Sequence, residues 1–342
     1  MEKPSQDRVA IEEEPWRATW VLAVVVFFAA LGLLEFGWRQ AGHRASVVDD
    51  RALWSQVRAS VYGEDCVVAL LGTSRMQLDT DVSALEGALE GCRVVQLSVS
   101  GRHPLAALRD LASDEAFRGL VVVGLTARAF LPEDRFGQQE YVEHFRREWG
   151  LPERAERTTA TWVQESLVSA QATTNVLERL RRRLDGQPPA EPAHTVMNRD
   201  RSVAADYGRS DLRRIRARRI RAVRSFYDAA PLPDPGAWLE LTRITHPWVE
   251  AIQSRGGRVL FLRPPTTDET WKMDEIAFPR SGFWDRFAAE TGAEALHFRD
   301  VPEMRDLGCP DTSHLDASDA PAFSRALADQ IRARGLIEER NG

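Results

Sequence analysis

Three side chains separated by most of the chain have the types needed for nucleophilic acyl chemistry: Ser74, Asp311 and His314. Ser74 stands in Gly72-Thr73-Ser74-Arg75, just after the apolar run Val67–Leu71. Glycine there permits a tight strand-to-helix turn, where free amides can stabilise an oxyanion. A serine hydroxyl needs a base to become a useful nucleophile. The segment Cys309-Pro310-Asp311-Thr312-Ser313-His314 offers one. An aspartate three residues before a histidine can orient the imidazole within one loop, and the imidazole can then take the serine proton. Ser313 reads as a loop hydroxyl. Each motif alone has a plainer reading: a helix-capping serine, a surface loop, or half of a metal site. The chain has seven histidines, and His103 and His246 stand in unrelated contexts, so no metal and no cofactor is expected.

The elements that would bring these residues together alternate between strand and helix. Continuous apolar runs at Val67–Leu71, Val94–Val99, Leu120–Leu125 and Arg258–Leu262 read as buried parallel strands, with a weaker fifth at Ala295–Phe298. Helical patterns fall at Ser83–Leu89, Pro104–Leu111, Trp238–Arg255 and from Ala320 to about Arg334. The expected fold is therefore α/β, a parallel sheet covered on both faces. Reactive groups in such a sheet gather beyond the carboxyl ends of the strands. Arg75, Arg102 and Arg263 all follow strand ends; Arg263 is the candidate for holding an anionic substrate group, against the plainer reading of a surface arginine. Arg280, Trp284 and Asp285 read as turn, packing and capping residues.

The rhythm is broken between about 132 and 235, read as one mainly helical insertion between the third and fourth strands. It holds a helical pattern near Val163–Leu184, the Pro-rich stretch at Gly186–Pro192, and an arginine-rich helix at Asp211–Phe226. In that helix Leu212, Ile215, Ile220, Val223 and Tyr227 share one face, which makes the arginines its solvated face. Cys66 and Cys92 occupy matching places at the entry of the first two strands. A disulfide and a pair of buried thiols are both open, with Cys309 left unpaired.

Near the start, Ala18–Leu34 carries no charge and is flanked by Trp16, Trp20 and Trp38, as an interfacial belt would be. Glu12, Glu13 and Glu14, with no prompt small-residue cleavage site, fit a signal peptide poorly. We expect a single membrane anchor, with Glu35 turned toward the headgroups. Lys3, Arg8 and Arg17 precede it and Arg39, Arg44 and Arg51 follow, a near tie in the positive-inside count. A short tail is easily kept inside, so the globular part is expected outside the cytoplasm. The expected organisation is a tail at 1–17, an anchor at 18–38, a linker or helix at 39–64 and the α/β domain at 65–342. With 342 residues, 43% hydrophobic and 28% charged, the composition excludes a disordered or polytopic chain. A net charge of −6 argues against nucleic acid as a partner.

Together the pieces resemble the SGNH (GDSL-like) hydrolase family over about 65–123 and 257–331. Gly72-Thr73-Ser74-Arg75 is similar to its first block, Ser100-Gly101 to its second, and Asp311-Thr312-Ser313-His314 to its fifth. The resemblance implies a three-layer sandwich around a five-stranded parallel sheet of SGNH or flavodoxin-like type. It implies Ser74, Asp311 and His314 as catalytic residues, with the Ser74 and Gly101 amides as the oxyanion hole. The third block departs: Val123-Gly124-Leu125-Thr126-Ala127-Arg128 lacks the usual asparagine, leaving Thr126 or Arg128 as replacements. The anchor and these blocks are similar to a membrane-bound bacterial branch, the accessory acyl-transfer proteins of alginate or teichoic acid modification. That implies a serine esterase or O-acyltransferase acting on a glycan or lipid-linked acyl ester, partnered by the bilayer and a multi-span O-acyltransferase. The missing asparagine keeps a second expectation open, a non-catalytic module that binds glycan or scaffolds such a complex.

Overall fold

The computed structural model describes residues 16–338, apart from 134, 172, 173, 175, 189, 190, 230 and 231. Most of the N-terminal tail, with Lys3 and Arg8, and part of the Pro-rich stretch lie outside the described residues. In chain order the elements are α1 (Trp16–Gln40), α2 (Arg51–Arg58), β1 (Val67–Leu71), α3 (Ser74–Asp79), α4 (Val82–Ala88), β2 (Arg93–Gln96), α5 (Leu105–Ala112) and β3 (Leu120–Gly124). The insertion follows: α6 (Gln139–Arg147), α7 (Leu151–Ser166), α8 (Val176–Leu184), β4 (Thr195–Met197), β5 (Val203–Ala205) and α9 (Leu212–Ala229). The chain closes with α10 (Pro235–Thr242), α11 (His246–Ser254), β6 (Arg258–Arg263), α12 (Asp268–Ala277), α13 (Trp284–Glu290), β7 (Glu294–His297), α14 (Pro302–Arg305) and α15 (Ala320–Ala333).

The main sheet is wholly parallel, in the order β2-β1-β3-β6-β7. Counting only its own strands, this is the 2-1-3-4-5 order of flavodoxin-like folds, and the order reverses beside β1. Side-chain alternation divides the core. Val67, Ala69, Leu71, Val121, Val123 and Phe261 pack on one face, whereas Val68, Leu70, Val122, Leu260 and Leu262 pack on the other. Burial on both faces explains why these strands read as unbroken apolar runs.

Three elements differ from the sequence reading. The helical pattern at 163–184 is split: α7 ends at Ser166, Leu167 is extended, and a short 3-10 turn follows at Val168–Ala170. The cause is Glu35, whose carboxylate accepts the Val168 amide at 2.7 Å and the Ser169 amide at 3.1 Å. Glu35 thus docks the end of α1 onto the insertion and does not point to the headgroups. The pattern at 238–255 is likewise divided into α10 and α11 by a 3-10 turn at Arg243–Thr245, before Pro247 in the first turn of α11. The insertion also contains the antiparallel pair β4–β5, too short to show a period in sequence.

Helix α1 has 25 residues, and its most apolar window has a mean hydropathy of 2.3 and contains no buried residue. It is long and apolar enough to cross a bilayer. Cys66 and Cys92 are joined in a disulfide, their Cα atoms 4.6 Å apart, because the pairing of Val67 with Arg93 sets them side by side. Cys309 is free and buried.

Candidate active site

Ser74 is the first residue of α3 and starts it just beyond β1. The turn is tight because Met76 packs back on the sheet. A Cβ at Gly72 would lie 2.4 Å from Met76 Cγ, and one at Gly124 only 1.9 Å away. Gly124 of the third-block segment is therefore a packing residue. On the far side, Asp311 and His314 sit in the loop before α15, both 1% exposed. Thr312 between them has φ 75°, an uncommon conformation for a side-chain-bearing residue. Its hydroxyl lies 2.6 Å from that of Thr270, and its carbonyl accepts the Thr267 amide at 3.1 Å. This bend lets Asp311 Oδ1 accept the amides of Ser313 at 2.9 Å and His314 at 2.8 Å.

The fold brings the three residues into one hydrogen-bonded chain. Ser74 Oγ lies 2.8 Å from His314 Nε2, and His314 Nδ1 lies 2.9 Å from Asp311 Oδ2. A carboxylate can only accept, so Nδ1 carries the proton and Nε2 is left to accept from the serine. Burial lowers the His314 pKa, and the charges of Arg219 and Arg75 push the same way, against the raising effect of Asp311. The imidazole is therefore neutral at neutral pH. Burial alone would raise the Asp311 carboxyl, but the His314 bond and charge, the Ser313 amide and Arg219 outweigh it and hold it well below the usual range.

Three further residues fix this chain, and the sequence reading assigned none of them a role. Asp79, at the end of α3, accepts the Leu315 amide at 2.9 Å and so pins the loop just after His314. Burial pushes its carboxyl well above the usual range, an effect only partly offset by that amide and Arg75. Arg201, fully buried in the β4–β5 turn with φ 65°, grips both oxygens of Asp49 and donates to the carbonyls of Gln96 and Ser98 at 2.9 and 2.8 Å. It thereby holds the segment leading to Gly101. Gln138, also buried, donates to the Gly72 carbonyl at 2.8 Å and the Arg102 carbonyl at 3.1 Å. It ties the Ser74 turn to the Gly101 turn. Each of the three lies far in sequence from what it holds, and no local pattern marks it.

Gly101 has φ 73° in the turn after β2, next to the bond from the Val99 amide to the Gly72 carbonyl at 3.1 Å. Among the described residues neither the Ser74 nor the Gly101 amide donates a hydrogen bond. Thr126 follows β3, and its Oγ1 is buried without a partner.

Several expectations change. The arginines of α9 are not all solvated. Arg219, 37% exposed, places Nε 3.4 Å from Asp311 Oδ2, and its Nη2 lies 3.5 Å from His314 Nδ1, a close approach of two donors. Arg216 pairs with Asp268 and Glu269 at 3.0 and 2.6 Å. Ser313 is no free loop hydroxyl: it is 3% exposed and accepts from Arg75 Nε at 3.1 Å. Arg263 is not on the surface. It is 7% exposed and donates to Asp274 at 2.6 Å, the Pro264 carbonyl at 2.7 Å and Thr266 at 3.2 Å. Trp284 joins the core as a packing residue does, whereas Arg280 and Asp285 bond each other, Arg280 also holds Asp300, and no side chain caps α13.

No group of three metal-ligating side chains is present among the described residues. The fold and site define an α/β protein with a flavodoxin-like sheet and a serine–histidine–aspartate chain at its carboxyl edge. No family model and no curated protein matches the chain. Among solved structures, the crystal structure of TesA is similar over 79% of this chain and 99% of that one, at 13% identity and a TM-score of 0.35.

Proposed function

We propose that the protein is a membrane-anchored serine esterase or O-acyltransferase working outside the cytoplasm on an acyl ester of a glycan or lipid-linked acceptor. The observation that carries the reading is the unbroken Ser74–His314–Asp311 chain at the end of the sheet where α/β sites form. Ser74 Oγ attacks the ester carbonyl carbon as His314 Nε2 takes the hydroxyl proton, giving a tetrahedral oxyanion. Collapse of that intermediate breaks the bond to the leaving oxygen, which receives the proton from His314. Water or an acceptor hydroxyl then attacks the acyl-serine and loses its proton to His314; collapse breaks the acyl–Oγ bond, and Ser74 Oγ takes that proton back from His314. Asp311 holds the imidazole tautomer and stabilises its charged form. The Ser74 and Gly101 amides serve the oxyanion, each such donor being worth roughly 3 kcal/mol of barrier. Helix α1 and the Cys66–Cys92 disulfide support a location at the membrane on its oxidising side. A multi-span acyltransferase is the partner this reading calls for, to bring the acyl group across.

The test is labelling and turnover on the full-length protein. A fluorophosphonate should label the wild type at Ser74. Ser74→Ala should lose labelling and p-nitrophenyl ester hydrolysis by at least a thousand-fold, and His314→Ala should fall similarly, because such residues act as a unit. Wild-type protein that takes no label and hydrolyses no ester overturns the reading.

A further inference from the structure

A cavity of about 80 Å³ lies beyond the ends of β3 and β6, and it begins one residue from Ser74, at Arg75. Arg75 also bonds Ser313, so the cavity adjoins the site on the β3 side. Polar groups line it, among them Thr126, Arg75, Arg263 and Asp274. Two of their atoms, Thr126 Oγ1 and Arg75 Nη1, are buried without a hydrogen bond. Aromatic side chains line it as well, Phe130, Phe278, Phe283 and Trp284, and α9 contributes Val223 and Phe226. Nothing in the serine chemistry itself needs such a chamber.

We infer that this cavity receives the acyl chain, and that the acyl group carries about four to six carbons or a ring and is larger than acetyl. The inference deepens the proposed function and rests on it. At roughly 10–15 Å³ for each water-sized occupant, the space takes about six atoms. The single methyl of an acetyl group would leave most of the cavity empty, whereas a longer chain fills it with its carboxyl carbon on the Arg75 side, toward Ser74. Apolar burial predicts about four-fold tighter binding per added methylene until the chamber is full.

Binding to Ser74→Ala separates this inference from the chemistry. Full-length Ser74→Ala protein in lipid nanodiscs, free of detergent tails that would compete, is titrated by calorimetry with acetate, butyrate, hexanoate and octanoate, with empty nanodiscs subtracted. Affinity should rise about four-fold per methylene up to hexanoate and then level off. Val223→Phe, which narrows the chamber from α9, should weaken hexanoate at least ten-fold. Phe226→Ala, which widens it, should shift the plateau to octanoate. Equal affinity for acetate and hexanoate, or a chain-length profile untouched by both variants, overturns the inference. Because no turnover is involved, a flat profile in Ser74→Ala, alongside wild-type protein that takes the fluorophosphonate, refutes the chamber alone. Chain-length-dependent binding in Ser74→Ala, alongside wild-type protein that takes no label, refutes the serine chemistry alone.

Discussion

Arg219 is the residue whose position changes the reading of the site most. It comes from the insertion, yet it stands beside both Asp311 and His314. Its charge lowers the pKa of His314, which must be neutral to accept the serine proton. The ester chemistry proposed above should therefore fall on acidification, as the imidazole protonates at a pH below its ordinary range. Arg219→Gln removes a cation that favours the neutral ring, so the acidic limb of kcat/KM should move to higher pH. Since Arg219 is more than a third exposed, the difference should shrink as salt rises. Superimposable pH profiles for the two proteins at low salt would show that Arg219 does not act on the imidazole. Tyr207 adds to the same surround. Burial raises its pKa, and the charges of Asp311 and Asp79 push the same way.

At the scale of elements, the short helix α3 does two jobs from its two ends. Its start presents Ser74, and its last residue, Asp79, holds the loop of His314. One rigid helix thus sets the spacing between nucleophile and base. Asp79 Oδ2 is buried without a partner, which makes ionisation costly. A carboxyl whose folded pKa lies above its unfolded value of 3.8 contributes stability below that value and loses it as pH rises through the folded pKa. Asp79→Asn keeps an acceptor for the Leu315 amide and cannot ionise. Its stability relative to the wild type should increase from pH 4 to pH 8 in urea unfolding. An unchanged difference across that range would mean that Asp79 does not titrate with folding. Helix α9 likewise has several roles: it covers the cavity with Val223 and Phe226, reaches the site with Arg219 and pairs with α12 through Arg216.

For the molecule as a whole, the insertion acts as a frame around the sheet's carboxyl edge. Gln138, Arg201, Tyr207 and Arg219 all come from it and all reach the site or the turns beside it. The same insertion receives Glu35 from α1, so the segment proposed to cross the membrane and the segment that frames the site are in direct contact. At the opposite edge, the Cys66–Cys92 bond closes a sequence separation of 26 residues across β1 and β2. A loop of that length restricts the unfolded chain by about 3 kcal/mol. Reductant should lower the urea midpoint accordingly, and unreduced, denatured protein should show one reactive thiol, Cys309. Three reactive thiols without reductant, or a midpoint indifferent to reductant, would count against the bond.

The sequence by itself determined the sheet. Four apolar runs, with a weaker fifth, called for burial on both faces, which a parallel layer with helices on each side provides. It also marked Ser74, Asp311 and His314, because a glycine turn after a strand and an aspartate three residues from a histidine are local patterns. Tertiary structure alone decided what surrounds them. Asp79, Gln138, Arg201 and Arg219 act on groups more than thirty residues away, so their roles depend on the tertiary fold and leave no period or spacing to read. The divided helix at 163–184 shows the same limit from the other side. Its local pattern favoured continuity, but the amides of Val168 and Ser169 gain a half-buried carboxylate partner, Glu35, only when the helix stops.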